Sequence, residues 1–254
     1  MIQIHNFNFP ESQESLIIYA LNDVHVGDPT YNLKKLQDFI NKVKSEPNSR
    51  VICVGDLINN GIKSSKSNSY DETMSPAEQK YTMIDLLRPI ANQILIVVSG
   101  NHSERSNRET SDNPERDIAA ALNVPFERDG VFLKITLGKD KKGKRIPYLI
   151  AAFHGAGAGR KLSSGLNITE EFLYSIDCDI LIVGHSHKLI SGRVASLRID
   201  NKNNTVVPVD RLIVVSGGWL DYGGYGMRGL YKPSQTGAGI IHLNGNFKEF
   251  YSVV

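Results

Sequence analysis

The chain is poor in cysteine, in net charge and in long apolar runs, and each shortage removes a class of function. Of its 254 residues two are cysteines, Cys53 and Cys178, which lie within or beside apolar segments without CxxC spacing. That excludes a disulfide scaffold and suits a reduced interior, so the expected location is the cytoplasm, the host's if a phage encodes the chain. No apolar run approaches the roughly 18–20 residues that a bilayer span requires, and no membrane partner is expected. The segment Met1 to Ser15 carries Glu11 and Glu14 and no apolar stretch, which argues against a secretory signal. The 29 Lys+Arg nearly balance the 27 Asp+Glu, leaving a net charge of +2 and no bulk basic surface for nucleic acid. Repeats, low-complexity tracts and breaks in composition are missing too, so a single domain over 1–254 is expected. What remains, 41% hydrophobic and 22% charged, is ordinary for a globular protein. Histidine is also scarce, with 7 copies, and its placement is informative.

Apolar runs alternate with helical periodicities. Ser15–Leu21, Arg50–Val54, Ile94–Val98 and Asp179–Val183 read as buried strands. Val131–Leu137 and Ile146–Phe153 form a further pair, joined by the basic turn from Gly138 to Arg145, which reads as a solvated hairpin tip. Leu33, Leu36, Phe39, Ile40 and Val43 recur at helical spacing and predict a helix over Asn32–Ser45. Ser75-Pro76-Ala77-Glu78 is a capping sequence for a helix that Pro89 ends near Arg88. Helices are also expected over Pro114–Leu122 and Thr169–Ser175, and none at Ser163-Ser164-Gly165. Gly192–Ile199, Val206–Val215, Gly239–Leu243 and Phe247–Val253 read as strands, the last two joined at Asn244-Gly245. The polar, aperiodic stretch Asn59–Ser75 is a surface loop or a lid. This order implies a layered α/β sandwich.

Five of the apolar strands end in polar residues of one kind. Asp23-Val24-His25, Gly55-Asp56, Gly100-Asn101-His102, His154 and Gly184-His185-Ser186-His187 each follow a strand. Singly, each reads as a cap or a turn. Jointly they would converge at the carboxyl ends of the strands, where open α/β sheets bind ligands. Carboxylates, an amide oxygen and imidazoles without cysteine suit Mn, Fe, Zn or Ni. The donors exceed what one ion needs, which indicates a two-metal site with Asp56 as the natural bridging group.

In this order the five segments resemble the motifs of the calcineurin-like metallophosphoesterases, particularly stand-alone phage and prokaryotic members. The resemblance implies a four-layer α/β/β/α sandwich and two divalent transition-metal ions, manganese first. One ion would take Asp23, His25, His187 and the bridging Asp56. The other would share Asp56 and take Asn101, His154 and His185. It implies hydrolysis of phosphodiester or phosphomonoester bonds, of nucleotides or nucleic acid, by a hydroxide shared between the ions. His102 would face the leaving-group oxygen as the catalytic proton donor or phosphate contact. The runner-up reading is a DNA exonuclease or endonuclease of the repair-exonuclease branch, and a different class would be a non-catalytic scaffold keeping the fold.

Two positions depart from the protein Ser/Thr phosphatase pattern. Asn59 stands where many members carry a carboxylate, so it would orient His102 without stabilising its charge, and Ser103-Glu104-Arg105 follows the GNH motif. Asn59, Arg105 and Arg160 are the candidate substrate contacts. The glycine run Gly155–Gly159 lacks a following helix and a Walker lysine, and reads as a loop beside the metals. Trp219, Tyr222, Tyr225 and Tyr231, set among glycines, either stack a base or pack over a sheet. His5 and His242 fall outside the motifs, as a terminal and a strand residue.

Overall fold

Strands that are apolar on both faces must be covered on both sides, and that requirement sets the architecture. A computed structural model of the chain describes residues 3–65, 69–157 and 159–254. Ala158 of the glycine run and residues 66–68 of the polar stretch lie outside the described residues, as does the Tyr225 side chain. The elements run β1 (Ile4–Asn8), β2 (Ser15–Leu21), α1 (Leu33–Ser45), β3 (Ser49–Val54), α2 (Pro76–Leu87), β4 (Ile94–Val98), α3 (Asn101–Thr110) and α4 (Pro114–Leu122). They continue with β5 (Phe126–Glu127), β6 (Val131–Lys139), β7 (Arg145–Phe153), α5 (Leu162–Leu173), β8 (Ile180–Val183), β9 (Ile190–Asp200), β10 (Thr205–Val215), α6 (Gly224–Arg228), β11 (Gly239–Asn244) and β12 (Phe250–Val253).

Two six-stranded sheets form, in the orders β1-β6-β7-β8-β10-β9 and β12-β11-β2-β3-β4-β5. Strands β2, β3, β4 and β5 run parallel in one sheet, and β7, β8 and β10 in the other. The period of two sorts their side chains. Leu16, Ile18, Ala20, Ile52 and Val54 meet Ile150, Ala152, Ile180, Ile182, Leu212 and Val214 in the core between the sheets. Tyr19, Leu21, Val51 and Cys53 face away from that core and pack under α1, α2 and α4. On the far side, Ala151, Leu181, Ile213 and Val215 pack under Leu166 and Leu173 of α5. The result is the expected α/β/β/α sandwich, the fold of the calcineurin-like metallophosphoesterases. Both cysteines are buried and free, and among the described residues no helix is long and apolar enough to cross a membrane.

Helix starts follow their caps. Asn32 accepts from the Lys35 amide, Ser75 and Glu78 form the reciprocal capping box, and Asn113 accepts from the Glu115 and Arg116 amides. Elsewhere the structure corrects the sequence reading. Helix α5 opens at Leu162, so Ser163-Ser164-Gly165 is helical; packing onto the sheet overrides the poor propensities of Ser and Gly. Helix α3 has no apolar stripe to announce it, because the residues it buries are Ser103 and Ser106. His5 lies within edge strand β1 and bonds to Glu127 at 2.8 Å. Strand β12 starts only at Phe250, because Asn244 Oδ1 accepts from Asn246 N and holds the preceding residues in a turn. Trp219 is buried against Phe39, which makes it a packing residue.

Candidate metal centre

The parallel strands of the two sheets deliver their carboxyl ends to one place. Asp23 and His25 follow β2, Asp56 follows β3, and Asn101 and His102 open α3 directly after β4. From the opposing sheet, His154 follows β7 and His185 and His187 follow β8. Five of these residues adopt a left-handed backbone: Asp23 (φ 49°), His25 (51°), Asp56 (52°), His185 (64°) and His187 (54°). Such conformations cost on the order of 1–3 kcal/mol each outside glycine and gather where function over-determines the backbone. Two glycines allow the turns to touch. A Cβ on Gly55 would meet His154 Nδ1 at 2.6 Å, and one on Gly100 would meet Asp56 Oδ1 at 2.1 Å.

The side chains form overlapping groups. Asp23, His25 and His187 offer donor atoms within 4.8 Å of one another, as do Asp56, His154 and His185. His25 Nε2 faces His187 Nε2 at 3.2 Å, and Asp23 Oδ1 lies 3.5 Å from His187 Nε2 and 3.8 Å from His25 Nε2. In the other group Asn101 Oδ1 lies 2.8 Å from His185 Nδ1 and 2.9 Å from His154 Nε2, which is 3.1 Å from Asp56 Oδ2. Donors about 2.1 Å from a common cation lie roughly 3.0–3.4 Å apart at right-angled to tetrahedral geometry. Two of the observed spacings, 3.1 and 3.2 Å, fall in that range and the others bracket it within 0.4 Å, an arrangement compatible with metal coordination. So is the fully buried Asp23 Oδ1, which finds no hydrogen-bond partner among the described residues and is a costly orphan without a cation. The same three-residue criterion also joins His25, Asp56 and His102.

Electrostatics separates the roles. Burial raises the Asp23 carboxyl, but the fields of His187 and His25 outweigh it and hold the group at about 2. Burial likewise raises Asp56, and His154 and His102 pull it well below the ordinary carboxylate range. Burial lowers His154, yet the adjacent Asp56 pushes it up to about 10. For His185 and His187 burial dominates and lowers the imidazoles, which suits neutral ligands.

Among curated proteins none matches this sequence. The family model for calcineurin-like phosphoesterases matches residues 16–189, a span that contains every candidate ligand. The chain belongs to that family. Among solved structures, the chain is similar to Entamoeba histolytica Vps29 complexed with zinc, at 16% identity over 93% of this chain and 91% of that one, TM-score 0.46. It is similar to the Pseudomonas putida nuclease MPE at 12% identity over 93% and 87%, TM-score 0.38. It is also similar to Haemophilus influenzae NAD nucleotidase at 11% identity over 93% and 49%, TM-score 0.41.

Around the clusters, the remaining expected residues divide. His102 Nδ1 lies 2.6 Å from the Asn59 carbonyl, so Nδ1 carries the proton and Nε2 faces Asp56 Oδ2 at 3.7 Å. The expected help from Asn59 is thus given by its backbone, while its side-chain amide donates to Glu72 Oε1. Burial pushes the His102 imidazole down to about 3 despite the pull of Asp56, leaving a neutral ring. Arg105 sits one turn beyond His102 on α3, half-buried, and donates to Ser65 Oγ at 3.2 Å. Arg160 is exposed and stacks its guanidinium 5.5 Å from the Tyr231 ring centroid.

Sequence reasoning missed three supporting residues. Asn22 is fully buried and donates to Asp23 Oδ2, turning the other carboxylate oxygen toward the histidines. Asn60 bonds the His102 carbonyl at 2.7 Å. Glu115, on α4, is fully buried and accepts from the backbone of two motif turns. Asn22 was within view, as the buried strand's last polar residue; the other two carry no signal in the order of residues.

Proposed function

We propose that the chain is a two-metal phosphoesterase hydrolysing phosphodiester or phosphomonoester bonds, with nucleotides or nucleic acid as the substrate class. The observation that carries this reading is Asp56, whose carboxylate stands between the Asp23, His25, His187 group and the Asn101, His154, His185 group. In this reading those residues, Asp56 among them, would hold two divalent ions, manganese first. Bound there, the ions supply a nucleophile at neutral pH and neutralise the charge of the phosphoryl oxygens. His102, its ring neutral and its Nδ1–H committed to the Asn59 carbonyl, presents an unprotonated Nε2 that would accept from a water or hydroxyl beside the departing oxygen. Arg105, one turn further along α3, provides a cation for a second phosphate oxygen. With a net charge of +2, short nucleotide esters suit the chain better than long nucleic acid, whose affinity depends on many basic contacts.

The test is a manganese-supplemented panel of p-nitrophenyl phosphate, bis-p-nitrophenyl phosphate, cyclic nucleotides and single- and double-stranded DNA. Hydrolysis of at least one ester class is expected. Asp56→Asn and His187→Ala should each abolish it while circular dichroism remains that of the wild type. A folded, metal-loaded wild type inert on the whole panel overturns the proposal, and unaltered turnover in either variant overturns the ligand assignment.

A further inference from the structure

Helix α4 contributes no candidate ligand, yet its first turn is packed against the turns that carry two of them. Asn113 caps the helix and donates through Nδ2 to Ser99 Oγ at 2.9 Å. Two residues on, Glu115 is 0% exposed, a burial that carboxylates avoid unless something needs their charge or their acceptors. Its two oxygens divide between two turns. Oε1 accepts from the Leu57 amide at 2.9 Å, immediately after Asp56. Oε2 accepts from the Gly100 amide at 2.6 Å, immediately before Asn101. Each bond fixes the backbone next to a side chain that meets His154: Asp56 Oδ2 at 3.1 Å and Asn101 Oδ1 at 2.9 Å. Among the described residues Glu115 bonds neither the His187 turn nor the Asp23–His25 turn directly, and it reaches the latter only through the Asp56 turn, whose carbonyl accepts from the Val24 and His25 amides.

We propose that Glu115 is the positioning residue of the second metal site, a carboxylate clamp that sets the spacing between the Asp56 and Asn101 turns. The inference rests on the two-metal reading above and extends it to a residue outside the motifs. A carboxylate is required because both partners are N–H donors and both oxygens must accept. Glutamine in its place keeps the shape but presents an NH2 to one of the two amides, so that turn must withdraw. The site holding Asn101, His154 and His185 then loses its donor spacing whichever turn moves, and the site of Asp23, His25 and His187 is disturbed only through Asp56. Loss of a group that orients ligands typically costs 10–100-fold in metal affinity.

The experiment is isothermal titration of the metal-free full chain with manganese, for the wild type, Glu115→Gln and Ile118→Val. Ile118 is buried on the same helix, and its shortening lowers stability without touching the turns. Two binding events are expected for the wild type and for Ile118→Val. For Glu115→Gln one should weaken by roughly tenfold or more and the other by distinctly less. Two unchanged affinities, or equal weakening of both, would falsify the clamp alone. A wild type that binds no manganese would remove the metal reading beneath it as well. Should Glu115→Gln fail to fold, the wild type still decides by NMR. The Leu57 and Gly100 amide protons should then be shifted downfield and protected from exchange before metal is added. Fast exchange at either amide overturns the inference.

Discussion

Asp56 and His154 form a pair whose protonation opposes metal uptake. In the metal-free chain His154 is raised from 6.5 to about 10, so it holds a proton at neutral pH that a cation must displace. Manganese affinity should therefore climb from pH 6.5 toward about 10, and calorimetry in buffers of different ionisation heat should register proton release. Affinity that is flat across that range would contradict the pairing. The linkage to folding has the opposite sign. A raised histidine contributes stability fully below pH 6.5 and loses it as pH rises through about 10, while Asp23, lowered from 3.8 to about 2, contributes above 3.8 and loses it on acidification toward 2. Gly100 supplies a steric test. An alanine Cβ would stand 2.1 Å from Asp56 Oδ1, so Gly100→Ala should cost about 1–3 kcal/mol in urea unfolding and abolish hydrolysis. At this scale the motif residues were legible because each ends an apolar strand. Glu115 was not, since a glutamate in a helix's first turn is already explained by the helix dipole. The service of Asn59 was hidden for another reason: it comes from a carbonyl that every residue has.

Legibility of the elements depended on apolar periodicity. Strands β2, β3, β4 and β8 and helices α1, α2 and α4 show it, and their cores sit where the pattern puts them. Helix α3 buries two serines, and α5 buries Thr169 and Leu173 across twelve residues, so neither draws an apolar stripe. Helix α3 opens with Asn101 and His102 and so borders the candidate site. The caps offer a graded prediction. Ser75→Ala removes an exposed capping box and should cost about 1 kcal/mol of unfolding free energy. Asn113→Ala removes a cap and also the bond to Ser99 in the β4 turn, so its loss should exceed that of Ser75→Ala. Equal midpoints for the two variants in urea would show that the Ser99 bond contributes nothing.

Across the whole molecule, the four layers bring together groups that lie as far apart in the chain as Asp23 and His187. That convergence followed from where the strands end, and so it was legible once the sandwich was inferred. The pairing of the sheets was not: β1 joins one sheet beside β6, and β11 returns beside β2 in the other, connections that no local pattern encodes. Ligand binding to the folded state alone should raise its melting temperature with manganese concentration, and the rise should vanish in Asp56→Asn.

Both donor groups draw on both sheets. Asp23, His25, Asp56 and Asn101 come from the β12-to-β5 sheet, and His154, His185 and His187 from the other. A filled centre would therefore also be a clasp at one end of a seam that elsewhere is held by apolar packing and a few hydrogen bonds, such as Tyr148 Oη to the Asn244 carbonyl and His5 to Glu127. Sliding of one sheet over the other would change the distance between donors before it disturbed any strand. Occupancy should accordingly slow amide exchange at the carboxyl ends of β7 and β8 more than at their starts. The rigidity of the molecule would then be set at its candidate metal centre.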